Sequence, residues 1–258
     1  MNRERSRTPV RNLRAVGEAF FWGLVGGIAL LIGAVLSFGS FVTQKALGLA
    51  LAFGAGVLIS AVSFDLVEEA FETSSRSRIV GVGMMLGALV FYFGDKIVDG
   101  MGGADRKRSG GQQEGDKALG IVLGAVLDGI PESVVLGAGL LAGEGVSTAF
   151  IVAVFMSNLP EGLGGSMGLR KARWSHGQIV GLWSVVALVS AASAAFGYVA
   201  LDGASPDVTA FTLAFAGGAV LTMLADTMMP EAFELGHREV GLVTTLGFGL
   251  AFALHQVG

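Results

Sequence analysis

The chain contains no cysteine, so disulfides and thiolate metal sites are both excluded and the redox compartment leaves no mark on the sequence. Charge is scarce: 15% of the 258 residues are Asp, Glu, Lys or Arg, and a net charge of -4 says little about partners, so no nucleic acid is expected. No nucleotide-binding glycine motif is present, which argues against direct ATP coupling. Neither His-Glu-x-x-His nor Gly-x-Gly-Asp occurs, and no span holds a Ser/His arrangement, so an intramembrane enzyme has little support and the chain is expected not to be one. There are three histidines, of which His237 follows Glu231 and Glu234 at the end of span 7. His176 falls in a loop and His255 near the C-terminus, where a lone histidine is more often incidental than a ligand.

What remains is apolar. Hydrophobic residues make up 52% of the chain, mean hydropathy is +0.67, and the apolar residues come in blocks of about 20, the length that crosses a hydrocarbon core. The expectation is an all-α polytopic protein in a lipid bilayer, with the cell membrane as its location. Eight spans are read at residues 15–38, 46–71, 79–99, 117–141, 146–169, 178–201, 208–235 and 240–257. Residues 1–14 form an arginine-rich tail, 15–258 a single membrane domain, and 100–116 a mobile polar loop within it. The 41 glycines fit close helix packing in lipid, with Gly83/Gly87 and Gly164/Gly168 at small-xxx-small spacing. The loops after the odd-numbered spans carry most of the Lys and Arg, which places them in the cytoplasm and both termini outside, although the tail's five arginines argue the other way.

The chain also repeats itself. Leu51-Ala52-Phe53-Gly54-Ala55-Gly56 through Glu69-Ala70-Phe71-Glu72 aligns without gaps with Leu213-Ala214-Phe215-Ala216-Gly217-Gly218 through Glu231-Ala232-Phe233-Glu234, 162 positions on. Span 2 then corresponds to span 7, and an even span paired with an odd one is inverted in the membrane. The expected plan is 3+2+3: spans 1–3, a central pair, and spans 6–8 inverted.

The central pair carries the chemistry. Asp128-Gly129-Ile130-Pro131-Glu132 in span 4 is echoed by Ser157-Asn158-Leu159-Pro160-Glu161 in span 5. Each proline removes one N–H and pushes away the carbonyl four residues earlier, Leu127 or Met156. Each glutamate has a polar residue at i-4 on the same helix face. If those faces oppose one another, Asp128, Glu132, Ser157, Asn158 and Glu161 converge, and three carboxylates in a low-dielectric pocket call for a cation. A lone proline would be a packing kink and a lone glutamate a protonated hydrogen-bond donor; two such motifs on consecutive spans favour ion handling.

At these residues the chain resembles the ZIP (Zrt/Irt-like protein) family of divalent metal transporters. The likeness rests on the paired Pro-Glu motifs, the eight spans, the polar loop after span 3 and Met229-Pro230-Glu231-Ala232 in span 7. It implies a divalent metal ion as transported substrate, zinc by family, with iron or manganese as alternatives. A homodimer is left open. The family's motif reads His-Asn-x-Pro-Glu-Gly or a close variant; here Asp128 and Ser157 stand for its histidines and Gly129 for one asparagine, while span 6 has no acid for a second metal position. One oxygen-only position is therefore expected, which suits manganese, magnesium or calcium better than an imidazole site would. The competing reading is a ZIP-like protein that binds metal or partners but has lost transport.

Overall fold

The computed structural model describes residues 9–39, 42–74, 76–103, 118–141 and 147–257. The described part is helical, with no strand among those residues. Helix α1 is Pro9–Leu36, so helix begins within the stretch read as a tail. Helix α2 runs Gln44–Thr73 and contains a π-helical segment, Val62–Glu68. Helix α3 is Ser77–Val98, continued by a π turn at Asp99–Gly103; residues 104–116 of the expected polar loop lie outside the described residues. Helix α4 is Ala118–Gly139, α5 Thr148–Lys171 and α6 His176–Leu201. Helix α7, residues 206–236, has its own π segment at Leu224–Met228, and α8 is Val240–Val257.

The starts of these helices are written in the sequence. Thr43, Ser147, Ser175 and Ser205 each accept a hydrogen bond from a backbone N–H of the first turn, satisfying donors that have no partner within the helix. Ser175 and Gln178 complete a capping box, and Pro206 follows the cap of α7, where its missing N–H costs nothing. Between α7 and α8 the chain turns at His237, with φ 56°, and a short 3-10 segment, His237–Glu239.

Among the described residues, five stretches are long and apolar enough to cross a membrane: Leu13–Leu36, Gln44–Thr73, Ser77–Met101, His176–Leu201 and Pro206–Val257. The last, at 52 residues, contains the turn at His237, and its two limbs lie beside α2 in opposite senses. Gly48 meets Leu235 and Gly236 while Val62 and Leu66 meet Gly217, so α7 runs antiparallel to α2. Lys45 pairs with Glu239 and Asp65 with His255, so α8 runs parallel to it. The hydrogen bond from Lys45 holds the exposed Glu239 carboxyl below the usual carboxylate range. On α3 the side chains of Val82, Met85, Leu86, Leu89, Val90 and Phe93 face outward, a surface that lipid covers at no cost.

Glycine decides how near the helices come. A methyl on Gly56 would run into the Thr244 carbonyl oxygen, and one on Gly247 into that of Phe53, so α2 and α8 touch backbone to backbone. The same reciprocal contact joins α7 and α3: Gly218 meets the carbonyl of Met84, and Gly87 that of Phe215. Phe215 and Gly218 stand 162 positions after Phe53 and Gly56, the spacing of the sequence repeat, and the two π segments also begin 162 apart. A second such set joins α1 to α5, through Gly33 with Leu159 and Gly162 with Leu30, and α6 to α4, through Gly197 with Val134 and Gly137 with Ala194. With no hydrophobic effect to gather helices in lipid, close packing and Cα–H···O contacts at these crossings supply the attraction.

Candidate metal site

Helices α4 and α5 both pack on α1, and they touch each other only sparsely. Leu136 of α4 and Val154 of α5 lie against the same residue, Gly26 of α1. Helix α5 runs with α1, α4 runs with α6, and α1 and α6 are antiparallel, so α4 and α5 are antiparallel too. One turn along from that shared level stand Glu132 and Asn158; about two turns along stand Asp128 and Glu161. The motif residues therefore occupy two levels.

Asp128 is 2% exposed and Glu132 3%, both inside the bundle, as are Ser157 and Asn158. A carboxylate at such depth is retained in charged form only with a compensating cation or donors around it. The Asn158 Nδ2 donates to the Gly26 carbonyl at 3.0 Å, which orients the side-chain amide and makes its oxygen the atom suited to a cation. The Ser157 hydroxyl donates to the Val154 carbonyl at 3.0 Å, turning its lone pairs away from its own helix backbone.

Glu161 is only partly buried. It lines a small recess with Pro160, Gly164, Leu51 of α2, and Met228 and Glu231 of α7. Glu231, 6% exposed, is thus a carboxylate brought to the motif from the far end of the chain. Its signal was present in the sequence as a third Pro-Glu dipeptide, Pro230-Glu231. It follows the π segment of α7, whose widened turn also exposes Asp226.

This geometry bears on three expectations. Full convergence of the three motif carboxylates is not found: among the described residues no three His, Asp or Glu side chains form a group that could hold a metal ion, because the acids are staggered along two sparsely touching helices. Helices α4 and α5 run through Pro131 and Pro160 without interruption, and the Met156 carbonyl freed by Pro160 lies against Gly54 of α2, whose lack of a side chain lets the backbones meet. His255, read as incidental, has its Nδ1 3.4 Å from Asp65 Oδ1.

No family model matches the chain. The chain is 27% identical over 225 residues to a protein of Arabidopsis thaliana named "Putative zinc transporter", an alignment covering 86% of this chain. The match takes in 36% of the relative, so the chain spans about a third of the length of that protein.

Proposed function

We propose that this membrane protein carries a divalent metal cation across the bilayer, as substrate, past the carboxylates of α4 and α5. The observation that bears most weight is the pair Asp128 and Glu132, two acids on one helical face, 2% and 3% exposed, inside the helical bundle. Without a compensating cation such a pair is a liability that packing alone does not reward. Asp128, Glu132, Ser157, Asn158 and Glu161 form the ligand set.

The stagger of these acids suits passage better than storage. A cation held at the level of Glu132 and Asn158 has its next oxygens one turn on, at Asp128 and Glu161, with Glu231 beyond Glu161 across the recess. Each step exchanges some carboxylate oxygens for others, so no position binds too tightly to release. The name of the plant relative favours zinc. The chemistry of the ligands, oxygen without imidazole or thiolate, favours harder ions such as manganese.

In this reading the chain has eight spans in a 3+2+3 plan with inverted repeats. The reciprocal glycine contacts support it: α2 with α8 and α7 with α3 make the same contacts at repeat spacing, and α1 with α5 is matched by α6 with α4. The antiparallel course of α2 and α7 is what inversion requires.

The staggered acids also give weight to a second reading, a metal-binding protein of the same architecture without flux. Uptake into liposomes carrying the purified chain separates the two. Transport predicts time-dependent accumulation of zinc or manganese, saturable and inhibited by the other ion; metal binding to the protein with no accumulation inside would overturn transport. Zinc outcompeting manganese by orders of magnitude would overturn the hard-ion preference.

A further inference from the structure

The Ser147–Asp65–His255 cluster lies away from the motif acids and joins three helices. Ser147 is the N-cap of α5, the helix that carries Ser157, Asn158 and Glu161. Its hydroxyl oxygen accepts from the Phe150 N–H at 3.2 Å and its proton goes to Asp65 Oδ1 at 2.7 Å. Asp65 sits in the π segment of α2 with its side chain 9% exposed, and the same oxygen faces His255 Nδ1 of α8 at 3.4 Å. Phe64, its neighbour on α2, stacks on the imidazole with ring centroids 5.4 Å apart. One carboxylate oxygen thus ties the start of the motif helix to the α2/α8 pair.

The geometry points to a strap: Ser147, Asp65 and His255 hold the first turn of α5 against α2 and α8 and so keep that end of the bundle closed over the motif residues deeper along α5. The packing explains why a strap is placed here. Helices α2 and α8 are locked by backbone contact at Gly56 and Gly247, where sliding is sterically blocked. Helices α5 and α2 also come close at Gly54, where an added methyl would stand 3.0 Å from the Met156 carbonyl oxygen and from the Ser157 Cα. Toward the start of α5, beyond that contact, the Ser147 hydrogen bond to a charged acceptor is the element able to hold or release the first turn. The π turn matters because its extra residue rotates Asp65 away from a regular helical register.

The absence of cysteine provides the test, since one introduced thiol is the only one in the molecule. Ser157→Cys places it three turns inside α5, at a position 1% exposed, and a membrane-impermeant thiol reagent is applied to the purified protein in nanodiscs. Ser147→Asp is added because aspartate caps a helix as well as serine does, yet sets a carboxylate against Asp65. The expected result is labelling of the introduced thiol roughly tenfold faster, the order expected for losing a hydrogen bond to a charged group. Adding Asp65→Asn, whose amide can donate to the new carboxylate on the cap, should return labelling to the slow rate. Unchanged labelling in Ser147→Asp, or faster labelling that Asp65→Asn does not reverse, would overturn the strap. Should Ser147→Asp fail to fold, Asp65→Asn alone carries the test: faster labelling supports the strap and an unchanged rate overturns it. The readout is accessibility, so a protein that binds metal without transporting it still answers the question.

Discussion

Glu132→Gln should abolish metal uptake while leaving the fold intact. Glutamine keeps the volume and the hydrogen-bonding reach of glutamate but removes the charge, at a position 3% exposed. If the glutamate were a structural hydrogen-bonding group, the amide would serve nearly as well and uptake would survive. If it is a ligand, the loss exceeds the roughly 10–100-fold typical of removing a group one shell further from a metal. Thermal stability in detergent should hold, because glutamine fills the same volume and keeps the hydrogen-bonding reach. The same substitution at Glu161 should cost less uptake, since Glu161 is partly exposed and Glu231 lines the recess beside it. Equal and complete loss at both positions would contradict the stepwise picture.

The largest effect on stability is expected at the glycine crossings. Gly247→Val drives a side chain into the Phe53 carbonyl, and because the obstacle is backbone the two helices must part rather than repack. The expected cost is about 3 kcal/mol or more, at or beyond the upper end of overpacking penalties, read as loss of the folded fraction in a thermal or denaturant series. Gly218→Val, against the Met84 carbonyl, should behave the same way, since it makes the corresponding contact on the other side of the bundle. Gly81→Ala is the control. It has nothing within 4 Å of its added methyl, and alanine is the better helix former by about 1 kcal/mol. Similar losses at Gly81 and Gly247 would mean that glycine acts here through the helix backbone and not through approach between helices.

Much of this was legible in the residues. Long apolar runs gave the helices, because in lipid a segment that cannot satisfy its own backbone has no alternative. The Pro-Glu motifs gave the candidate site, because a proline and a carboxylate are both costly in such a run. The repeat at Leu51 and Leu213 anticipated contacts that recur at the same spacing, at Phe53 and Phe215 and at Gly56 and Gly218. What could not be read was which side chains meet. That depends on the rotation of each helix about its axis, and α6 and α7 are apolar almost all round, so their patterns name no inward face. Glu231 beside Glu161 and His255 beside Asp65 escaped for this reason, since each pair is brought together by packing across most of the chain. The levels at which Asp128, Glu132 and Glu161 stand relative to one another could not be read either. Sequence spacing put the residues of each motif on one face, but only the shared contact at Gly26 shows how far α4 and α5 are offset.

The central claim, that the motif oxygens of α4 and α5 hold a divalent cation, is tested most directly by X-ray absorption on the purified protein loaded with one equivalent of zinc. The claim predicts a first shell of oxygen alone, at roughly the 2.0–2.2 Å of zinc carboxylates, and loss of stoichiometric binding in the Glu132→Gln/Glu161→Gln protein. A shell containing imidazole nitrogen, or zinc retained by the double variant, would place the ion elsewhere and contradict it.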